Sequence, residues 1–283
     1  MKLIAELCQN HNGDIDLLES MVSDASLNGA DILKIQTIKS ESFTYRKEYE
    51  DFRKYEDELK RFKDLELSYD EEKRFVEICR DKKVEPMTTI FSTEHYDYFN
   101  SLGYNYLKLS GYSMESFGYG SKLDRFNFKH LVFSTSSLTL GEIKKCINNL
   151  QGVDFTILHC ICVYPTPLEK ANLQNILYLK TLHDKVGLSE HSNPYEDNLL
   201  SSKLAIFQGI DMLERHFTIL DKDDTRDGKV SITPDMLYEL KRFDTLSKEE
   251  QYEELNEFNE TQKFNHDYYR NRFARFNYTE VYK

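Results

Sequence analysis

Residues 186–216, which read VGLSEHSNPYEDNLLSSKLAIFQGIDMLERH, contain the pattern that decides the fold. A short apolar run at 186–188 is followed by a segment of helical length at 198–208 and then by a second short apolar run at 212–213. Two short strands joined through a helix form a βαβ unit, in which the strands lie parallel in one sheet. The stretch therefore predicts an α/β protein with a parallel sheet.

The same alternation extends along the rest of the chain. The candidate strands lie at 3–7, 32–35, 84–88, 104–109, 131–133, 155–158, 186–188 and 212–213, and helix-like segments lie at 17–28, 69–82, 93–102, 140–150, 173–182 and 198–208. Ser68, before an acidic turn, and Thr139, three residues before Glu142, predict helix starts, while Gly29 and Gly103 predict helix ends. Eight strands with short connections predict a closed (β/α)8 TIM barrel.

The chain length of 283 residues suits one barrel with a short extension. We predict the barrel over 1–245 and a helical C-terminal tail over 246–283, in which acidic residues precede the aromatic and basic stretch YYRNRFARF. A charged, aromatic-rich insertion at 40–66 follows the second strand. It is either a lid over the barrel mouth or a solvated helix, and runs of charged residues generally favour the solvated helix.

The overall charge is acidic, because 37 Lys and Arg stand against 49 Asp and Glu, which gives −12. A negative surface repels nucleic acid and anionic lipid, so neither is expected as a general partner. The N-terminal apolar stretch is interrupted from Glu6, and no apolar run reaches the roughly 18 residues of a membrane span, so we predict no signal peptide and no membrane helix. The five cysteines lack C-x-x-C spacing and fit a reducing compartment, so we expect a cytoplasmic protein.

Nearly every apolar run ends in polar or ionisable residues at or just past its last position. These residues are Glu6, Lys34, Gln36, Thr88, Thr89, Lys108, Ser110, Ser134, Thr135, Ser136, His159, Cys160, Ser189, Glu190, His191, Glu214 and His216. In a barrel, the carboxyl ends of all strands converge on one face, so these side chains are expected to meet. A gathering of Lys, Glu, His and Ser in one place is typical of an active site.

Lys34 and Lys108 are candidates for an anion site. Their ammonium groups would supply charge, and the hydroxyls of Ser134, Thr135 and Ser189 near helix N-termini would donate directed hydrogen bonds to a phosphate. The alternative is that each lysine pairs with a strand-end carboxylate or extends its charge to solvent, which is the usual role of a single such lysine. For two lysines in one barrel mouth, the two interpretations have equal weight.

His191 and His216 follow the seventh and eighth strands and are candidate ligands of one divalent metal ion. Two neutral imidazoles, with water and substrate oxygens in the remaining positions, suit a labile ion better than a catalytic zinc site with three protein ligands. The alternatives are a general base or structural histidines. Cys160, beside His159, is either a nucleophile with a histidine base or, among apolar neighbours, a small core residue.

Motifs in strand order resemble the sialic acid synthase family across roughly residues 2–240. They are IAELCQNHNGD at 4–14, GADILKIQT at 29–37, ELSYDEEK at 66–73, TTIFS at 88–92, LKLSG at 107–111, FSTSSLTLGEI at 133–143, ILHCICVYPTPLEKANL at 157–173, GLSEHS at 187–192 and LERHFT at 213–218. The combination of LHC-x-x-x-YPTP and ERHFT is specific, because ordinary barrel patterning does not produce it.

The resemblance implies a barrel enzyme that condenses phosphoenolpyruvate with a sugar aldehyde to give a 3-deoxy-2-keto sugar acid, such as a sialic-acid-like nonulosonate, and phosphate. It also implies a homodimer and a divalent ion, Mn²⁺ first with Mg²⁺ or Co²⁺ as alternatives. The catalytic residues fall on Glu6 and on the two metal ligands His191 and His216. The family's phosphoenolpyruvate ligands correspond to Lys34, Thr89, Lys108, Ser110, Ser134 and Ser189. The family's residues beside the sugar correspond to Gln36, Tyr164 and Asp227.

Three departures from the family pattern concern the sugar side and the phosphate rim. The tail stands in place of the family's C-terminal antifreeze-like domain, SGYSMESFGYG at 110–120 carries inserted aromatics, and STS and TRDG replace the usual STG and G-P-D-H-like loop. We therefore expect the same reaction with a different acceptor sugar. The alternatives are a non-catalytic relative that binds a sugar or a partner protein, and a Schiff-base aldolase that acts on pyruvate.

Overall fold

Eight parallel strands form a closed barrel in the computed structural model, which describes residues 1–256 and Tyr268. The strands are β1 Lys2–Cys8, β2 Ile32–Gln36, β3 Glu85–Ile90, β4 Tyr106–Leu109, β5 His130–Ser134, β6 Phe155–Cys160, β7 Val186–Glu190 and β8 Met212–His216. Each strand pairs with the next one along the chain, and β8 pairs with β1 to close the barrel. The predicted (β/α)8 TIM barrel is confirmed.

Helices follow the strands along the chain. They are α1 Ile15–Leu27, α2 Tyr55–Leu65, α3 Tyr69–Asp81, α4 Tyr96–Leu102, α5 Leu140–Asn149, α6 Gln174–Lys180, α7 Pro194–Asp197, α8 Leu200–Phe207, α9 Pro234–Thr245 and α10 Lys248–Leu255. The predicted starts at Ser68 and Thr139 are confirmed as capping boxes, in which cap hydroxyl and third-residue glutamate each accept a backbone N–H. Gly29 (φ 98°) and Gly103 (φ 66°) take the left-handed conformation just after a helix, as predicted.

The sequence pattern makes several strands too short at their carboxyl ends. Strand β8, which the sequence predicts over 212–213, continues to His216, and β7, which it predicts over 186–188, continues to Glu190. In these extended ends Ser189 is in register with Glu214 and Glu190 with Arg215, and the buried side chains of Glu190 and Arg215 form an ion pair. Helix α8 begins at Leu200 instead of 198, because Asn198 and Leu199 both have positive φ and interrupt the helix.

The inward side chains of the barrel form an apolar layer with a polar layer above it. The apolar layer contains Ile4, Ile32, Met87, Val132, Leu158 and Met212, with Tyr106 packed against it. Strand side chains alternate between the two faces, so the residue two positions further along each strand points inward again. Those next positions hold Glu6, Lys34, Thr89, Ser134, Cys160, Glu214 and Lys108. The fold therefore assembles a ring of polar side chains directly above the apolar layer.

The insertion at 40–66 contributes a wall beside the barrel mouth. Phe43 packs against Tyr55 and Phe62, with ring centroids 5.3 Å and 4.8 Å apart. Arg61 in α2 donates a hydrogen bond to Gln9 Oε1 at 2.7 Å, which ties the helix to the loop after β1. Phe43 and Phe62 also line a cavity of about 460 Å³. The insertion thus has an inner apolar surface in addition to its charged outer one.

The chain divides into two compact units, residues 1–245 and 246–283. In the second unit, α10 begins at a capping box formed by Ser247 and Glu250. The predicted aromatic and basic stretch YYRNRFARF, at 268–276, lies outside the described residues apart from Tyr268. Within the described part of the chain, no helix combines the length and apolar character needed to cross a bilayer.

Candidate active site

The polar layer opens into one cavity at the carboxyl-terminal mouth of the barrel. The cavity is lined by Glu6, Lys34, Gln36, Thr89, Phe91, Lys108, Ser110, Tyr112, Ser134, Ser136, Cys160, Cys162, Tyr164, Ser189, His191, Glu214 and His216. Eleven of the twelve predicted site residues are therefore together in one place. The twelfth, Asp227, is adjacent, with Oδ2 3.4 Å from His216 Nδ1.

Both lysines of the cavity pair with carboxylates in this structure. Lys34 forms an ion pair with Glu6 Oε2 and lies 3.7 Å from Glu214 Oε2, and Lys108 forms an ion pair with Glu214 Oε1. All four side chains are buried, where opposite charges attract more strongly than in water. The structure thus shows the pairing with strand-end carboxylates that the sequence left open as the alternative to anion binding.

Glu214 joins the two lysines, and the predicted set of site residues omitted it. Its Oε1 also accepts a hydrogen bond from Ser189 Oγ at 2.9 Å. Burial alone would raise the pKa of Glu214, but the charges of Lys108 and Lys34 hold it at about 2, so the carboxylate is ionised. Its place two residues beyond Met212, in the inward phase of β8, was the signal that could have identified it.

Glu6 and Lys34 are held in place by further hydrogen bonds. Glu6 Oε1 accepts the backbone N–H of Cys8 at 2.6 Å, and Lys34 Nζ donates to Thr89 Oγ1 at 3.0 Å. Burial lowers the pKa of Lys34, and the negative charge of Glu214 opposes this effect. The ammonium form of Lys34 therefore depends on anionic neighbours, whether these are protein carboxylates or a bound anion.

Serines that follow β4 and end β5 form a cluster of hydroxyls in the same cavity. Ser110 Oγ lies 3.0 Å from Ser113 Oγ, and Ser134 Oγ lies 3.1 Å from Ser136 Oγ and accepts the N–H of Gly111 at 3.1 Å. Glycine is required at 111, because a Cβ there would lie only 1.8 Å from the carbonyl oxygen of Ser136. The close approach of these two loops places the hydroxyls where they can donate to an anion.

His191 is a neutral imidazole with a defined orientation. Its Nδ1 donates to the carbonyl oxygen of Ile161 at 3.1 Å, and its Nε2 accepts from the hydroxyl of Tyr164 at 2.9 Å. Burial, together with the neighbouring His216, lowers the pKa of His191 to about 3. The Nε2 lone pair can therefore coordinate a metal ion once the hydrogen bond from the Tyr164 hydroxyl is broken.

His216 lies at the end of β8 with its ring centroid 5.3 Å from that of His191. Its Nδ1 is buried and has no hydrogen-bond partner, because Asp227 Oδ2, although 3.4 Å away, is not aligned to form a hydrogen bond. Burial would raise the pKa of Asp227, but the interaction with His216 lowers it below the ordinary value. Donor atoms of Cys8, His216 and Asp227 all lie within 4.8 Å of one another.

These side chains fit a divalent cation. A buried imidazole nitrogen without a partner is costly, and a cation would satisfy it. Neutral imidazole is also a ligand that Mn²⁺, Co²⁺ and Zn²⁺ accept. The barrel therefore places the predicted metal pair, His191 and His216, side by side on neighbouring strands.

Cys160 lines the cavity but does not have the environment of a nucleophile. Burial raises the pKa of its thiol to about 11, and His191 Nδ1, 3.9 Å from the sulfur, donates to a carbonyl oxygen instead. The backbone N–H of Cys160 donates to Thr135 Oγ1 at 3.1 Å. The prediction that Thr135 donates beside Ser134 is wrong, because successive residues point to opposite faces of the sheet and Thr135 turns toward β6.

Comparison with known proteins gives consistent matches over most of the chain. The sequence model of the NeuB family matches residues 21–253. An uncharacterised protein of Methanocaldococcus jannaschii is 30% identical over 243 residues, which are 84% of this chain and 68% of that protein. The N,N'-diacetyllegionaminic acid synthase of Campylobacter jejuni is 28% identical over 247 residues, which are 83% of this chain and 72% of the synthase.

A solved structure shows the same fold. The N-acetylneuraminic acid synthetase of Leptospira borgpetersenii superposes with a TM-score of 0.75 at 23% identity, covering 96% of this chain and 92% of that one. The similarity extends over the whole barrel.

Proposed function

The chain belongs to the NeuB family, and we propose that it condenses phosphoenolpyruvate with the aldehyde of an open-chain sugar. The products would be a 3-deoxy-2-keto sugar acid of the sialic-acid-like class and inorganic phosphate. The observation that carries the proposal is that two lysines, two carboxylates and two histidines line one cavity at the barrel mouth. The similarity to synthases named for N,N'-diacetyllegionaminic acid supports this class of reaction.

Lys34 and Lys108 bind the anionic groups of phosphoenolpyruvate in this proposal. Both ammonium groups already contact Glu6 or Glu214, so an entering anion must replace these contacts with carboxylates. The hydroxyls that line the same cavity supply directed hydrogen bonds to its oxygens. They belong to Thr89, Ser110, Ser134 and Ser189.

His191 and His216 hold a divalent ion, Mn²⁺ first with Mg²⁺ or Co²⁺ as alternatives. When bound, such an ion supplies Lewis acidity to the aldehyde oxygen of the sugar. Tyr164 releases the Nε2 lone pair of His191 when His191 acts as a ligand, and its hydroxyl then becomes available to the sugar. Gln36, which lines the cavity, orients sugar hydroxyls there.

Glu6 acts at the carbon where positive charge develops. The new bond forms between C3 of phosphoenolpyruvate and the aldehyde carbon, which leaves the charge on C2. The buried carboxylate of Glu6, held by Lys34 and by the N–H of Cys8, stabilises that charge and accepts a proton from the water that adds to C2. The former aldehyde oxygen, which took the carbonyl electron pair when the new bond formed, receives the proton that Glu6 accepted. The C–O bond to the phosphate then breaks as the C2 hydroxyl becomes the keto group and passes its proton to the phosphate, and Lys34 and Lys108 neutralise the departing anion.

Aromatic side chains support an acceptor sugar that differs from N-acetylmannosamine. Phe91 and Tyr112 stack with ring centroids 6.0 Å apart, and both line the active-site cavity as well as the neighbouring cavity of about 460 Å³. Tyr112 belongs to the stretch with inserted aromatics after β4. The far end of the acceptor therefore meets apolar rings on this side.

A phosphate-release assay with phosphoenolpyruvate and a panel of aldoses tests the proposal. We expect release that requires an aldose, stops with a chelator and returns with Mn²⁺. Metal-independent turnover of pyruvate that depends on one lysine would indicate a Schiff-base aldolase, and sugar binding without any release would indicate a non-catalytic relative. Activity with N-acetylmannosamine alone would contradict the expected change of acceptor.

A further inference from the structure

Cys8, His216 and Asp227 lie together at the edge of the active-site cavity, with one donor atom of each within 4.8 Å of the others. We propose that Cys8 Sγ and a carboxylate oxygen of Asp227 join His216 Nδ1 as ligands of the ion, so that the metal centre contains a thiolate. The inference rests on the proposed function for the presence of an ion, and it extends the ligand set beyond the two histidines. It also gives Asp227 a role at the metal instead of at the sugar.

The pairing of β1 with β8 brings Cys8 to His216. Glu6 is in register with His216, and the register of β1 shifts between Glu6 and Cys8. Cys8 has φ 46°, and its N–H turns back to Glu6 Oε1 at 2.6 Å. A bulge of this kind redirects the side chain that follows it. The thiol consequently lies beside the imidazole of the neighbouring strand.

Asn10 fixes the loop that carries Asp227. Its Oδ1 accepts Thr225 Oγ1 at 2.8 Å and the N–H of Asp227 at 3.2 Å, and its Nδ2 donates to Phe217 O and Ser231 Oγ, both at 2.9 Å. The side chain is fully buried, so these four hydrogen bonds hold the loop firmly. The carboxylate is thereby built into place beside the thiol, which lies only two residues before this asparagine.

The cluster can supply two negative charges and a nitrogen without a hydrogen-bond partner, as a site for a divalent ion requires. His216 is only 4% exposed, and its Nδ1 has no hydrogen-bond partner, so one ligand position is already directed into the cluster. A thiolate and a carboxylate together balance the charge of a divalent ion. Thiolate favours Zn²⁺ and Co²⁺, whereas Mg²⁺ prefers oxygen ligands, so a thiolate ligand would remove Mg²⁺ from the alternatives given above for this ion.

His191 differs from His216 because its coordinating nitrogen already accepts a hydrogen bond. Its Nε2 lone pair accepts the Tyr164 hydroxyl at 2.9 Å, whereas His216 Nδ1 has no such competitor. The three clustered donors can therefore hold an ion before His191 joins them.

Titration of the metal-free full-length chain with Co²⁺ tests the proposal. We expect one ion per chain, with a thiolate-to-cobalt charge-transfer band that Cys8→Ser abolishes and a binding affinity that falls at least about tenfold in this variant. Cys162→Ser is the matched control, since Cys162 lines the same cavity outside the cluster and its loss should leave the band intact. Asp227→Asn should retain the band but bind Co²⁺ more weakly. A Cys8→Ser chain that keeps both the band and the affinity would overturn the proposal.

A second measurement needs no variant and covers the case in which Cys8→Ser does not fold. X-ray absorption of the Zn²⁺-loaded chain should show a sulfur ligand at about 2.3 Å, and a shell of nitrogen and oxygen alone at about 2.0–2.2 Å would overturn the proposal. These readouts are independent of turnover. A thiolate band without phosphate release would refute the proposed function and leave the metal site standing, whereas phosphate release without any sulfur ligand would refute only the present inference.

Discussion

Replacement of Asn10 by alanine is expected to destabilise the barrel and to loosen the metal cluster at the same time. The buried amide makes four hydrogen bonds, to Thr225, Asp227, Phe217 and Ser231. At about 1 kcal/mol for each net hydrogen bond, their loss should lower the free energy of unfolding by about 4 kcal/mol. Since Asp227 loses the acceptor of its N–H, the affinity for Co²⁺ should also fall by roughly tenfold, as for other supports of metal ligands.

Urea denaturation followed by circular dichroism measures the first effect, and Co²⁺ titration measures the second. The matched control is Asn149→Ala, because this exposed amide also donates to two carbonyl oxygens, those of Gly118 and Tyr119, at 3.2 Å and 3.3 Å. Its loss should change the free energy of unfolding by less than about 1 kcal/mol. An Asn10→Ala chain that unfolds within about 1 kcal/mol of the unsubstituted chain, or binds Co²⁺ equally well, would refute the reasoning.

Three further substitutions test the cavity. Lys108→Met should weaken phosphoenolpyruvate binding at least about tenfold in calorimetry, because it removes one of two buried cations; unchanged binding would exclude Lys108 from the anion site. The pKa of Glu214 is about 2 against an ordinary 4.5, so its stabilisation is complete above pH 4.5 and is lost as pH falls toward 2. Glu214→Gln should therefore flatten the pH dependence of the unfolding free energy in that window, and an equal slope would contradict the assignment. Tyr164→Phe should raise the affinity for Co²⁺ about fivefold, because it removes the hydrogen bond of about 1 kcal/mol that competes for His191 Nε2; a lower affinity would show that Tyr164 supports the metal.

The fold and the set of residues that line the cavity could be predicted, because both follow from the alternation of side chains along each strand. Ile4 and Ile32 belong to the apolar layer, and Glu6 and Lys34 follow two positions later on the same strands. Once eight such strands are recognised, closure of the barrel brings their carboxyl ends together. The carboxyl ends of the strands cannot be predicted in the same way. An apolar run ends at the first polar residue, whereas β7 and β8 continue through polar residues to Glu190 and His216.

The pairing inside the cavity could not be predicted from spacing. Which carboxylate neutralises Lys34 or Lys108 depends on cross-barrel distances, and Glu214 reaches both lysines from a strand far along the sequence. Cys8 carried no signal as a ligand, because only the bulge in β1 turns it toward His216. Local patterns identify which side chains enter the mouth, and the closed barrel decides which of them meet.

Anomalous diffraction from crystals grown with Mn²⁺ tests most directly whether one ion binds at the carboxyl ends of β7 and β8 beside the paired lysines. The expected result is a single strong peak within about 2.0–2.3 Å of an imidazole nitrogen of both His191 and His216. A map with no peak between these rings, or with manganese bound only elsewhere on the chain, would contradict the proposed chemistry.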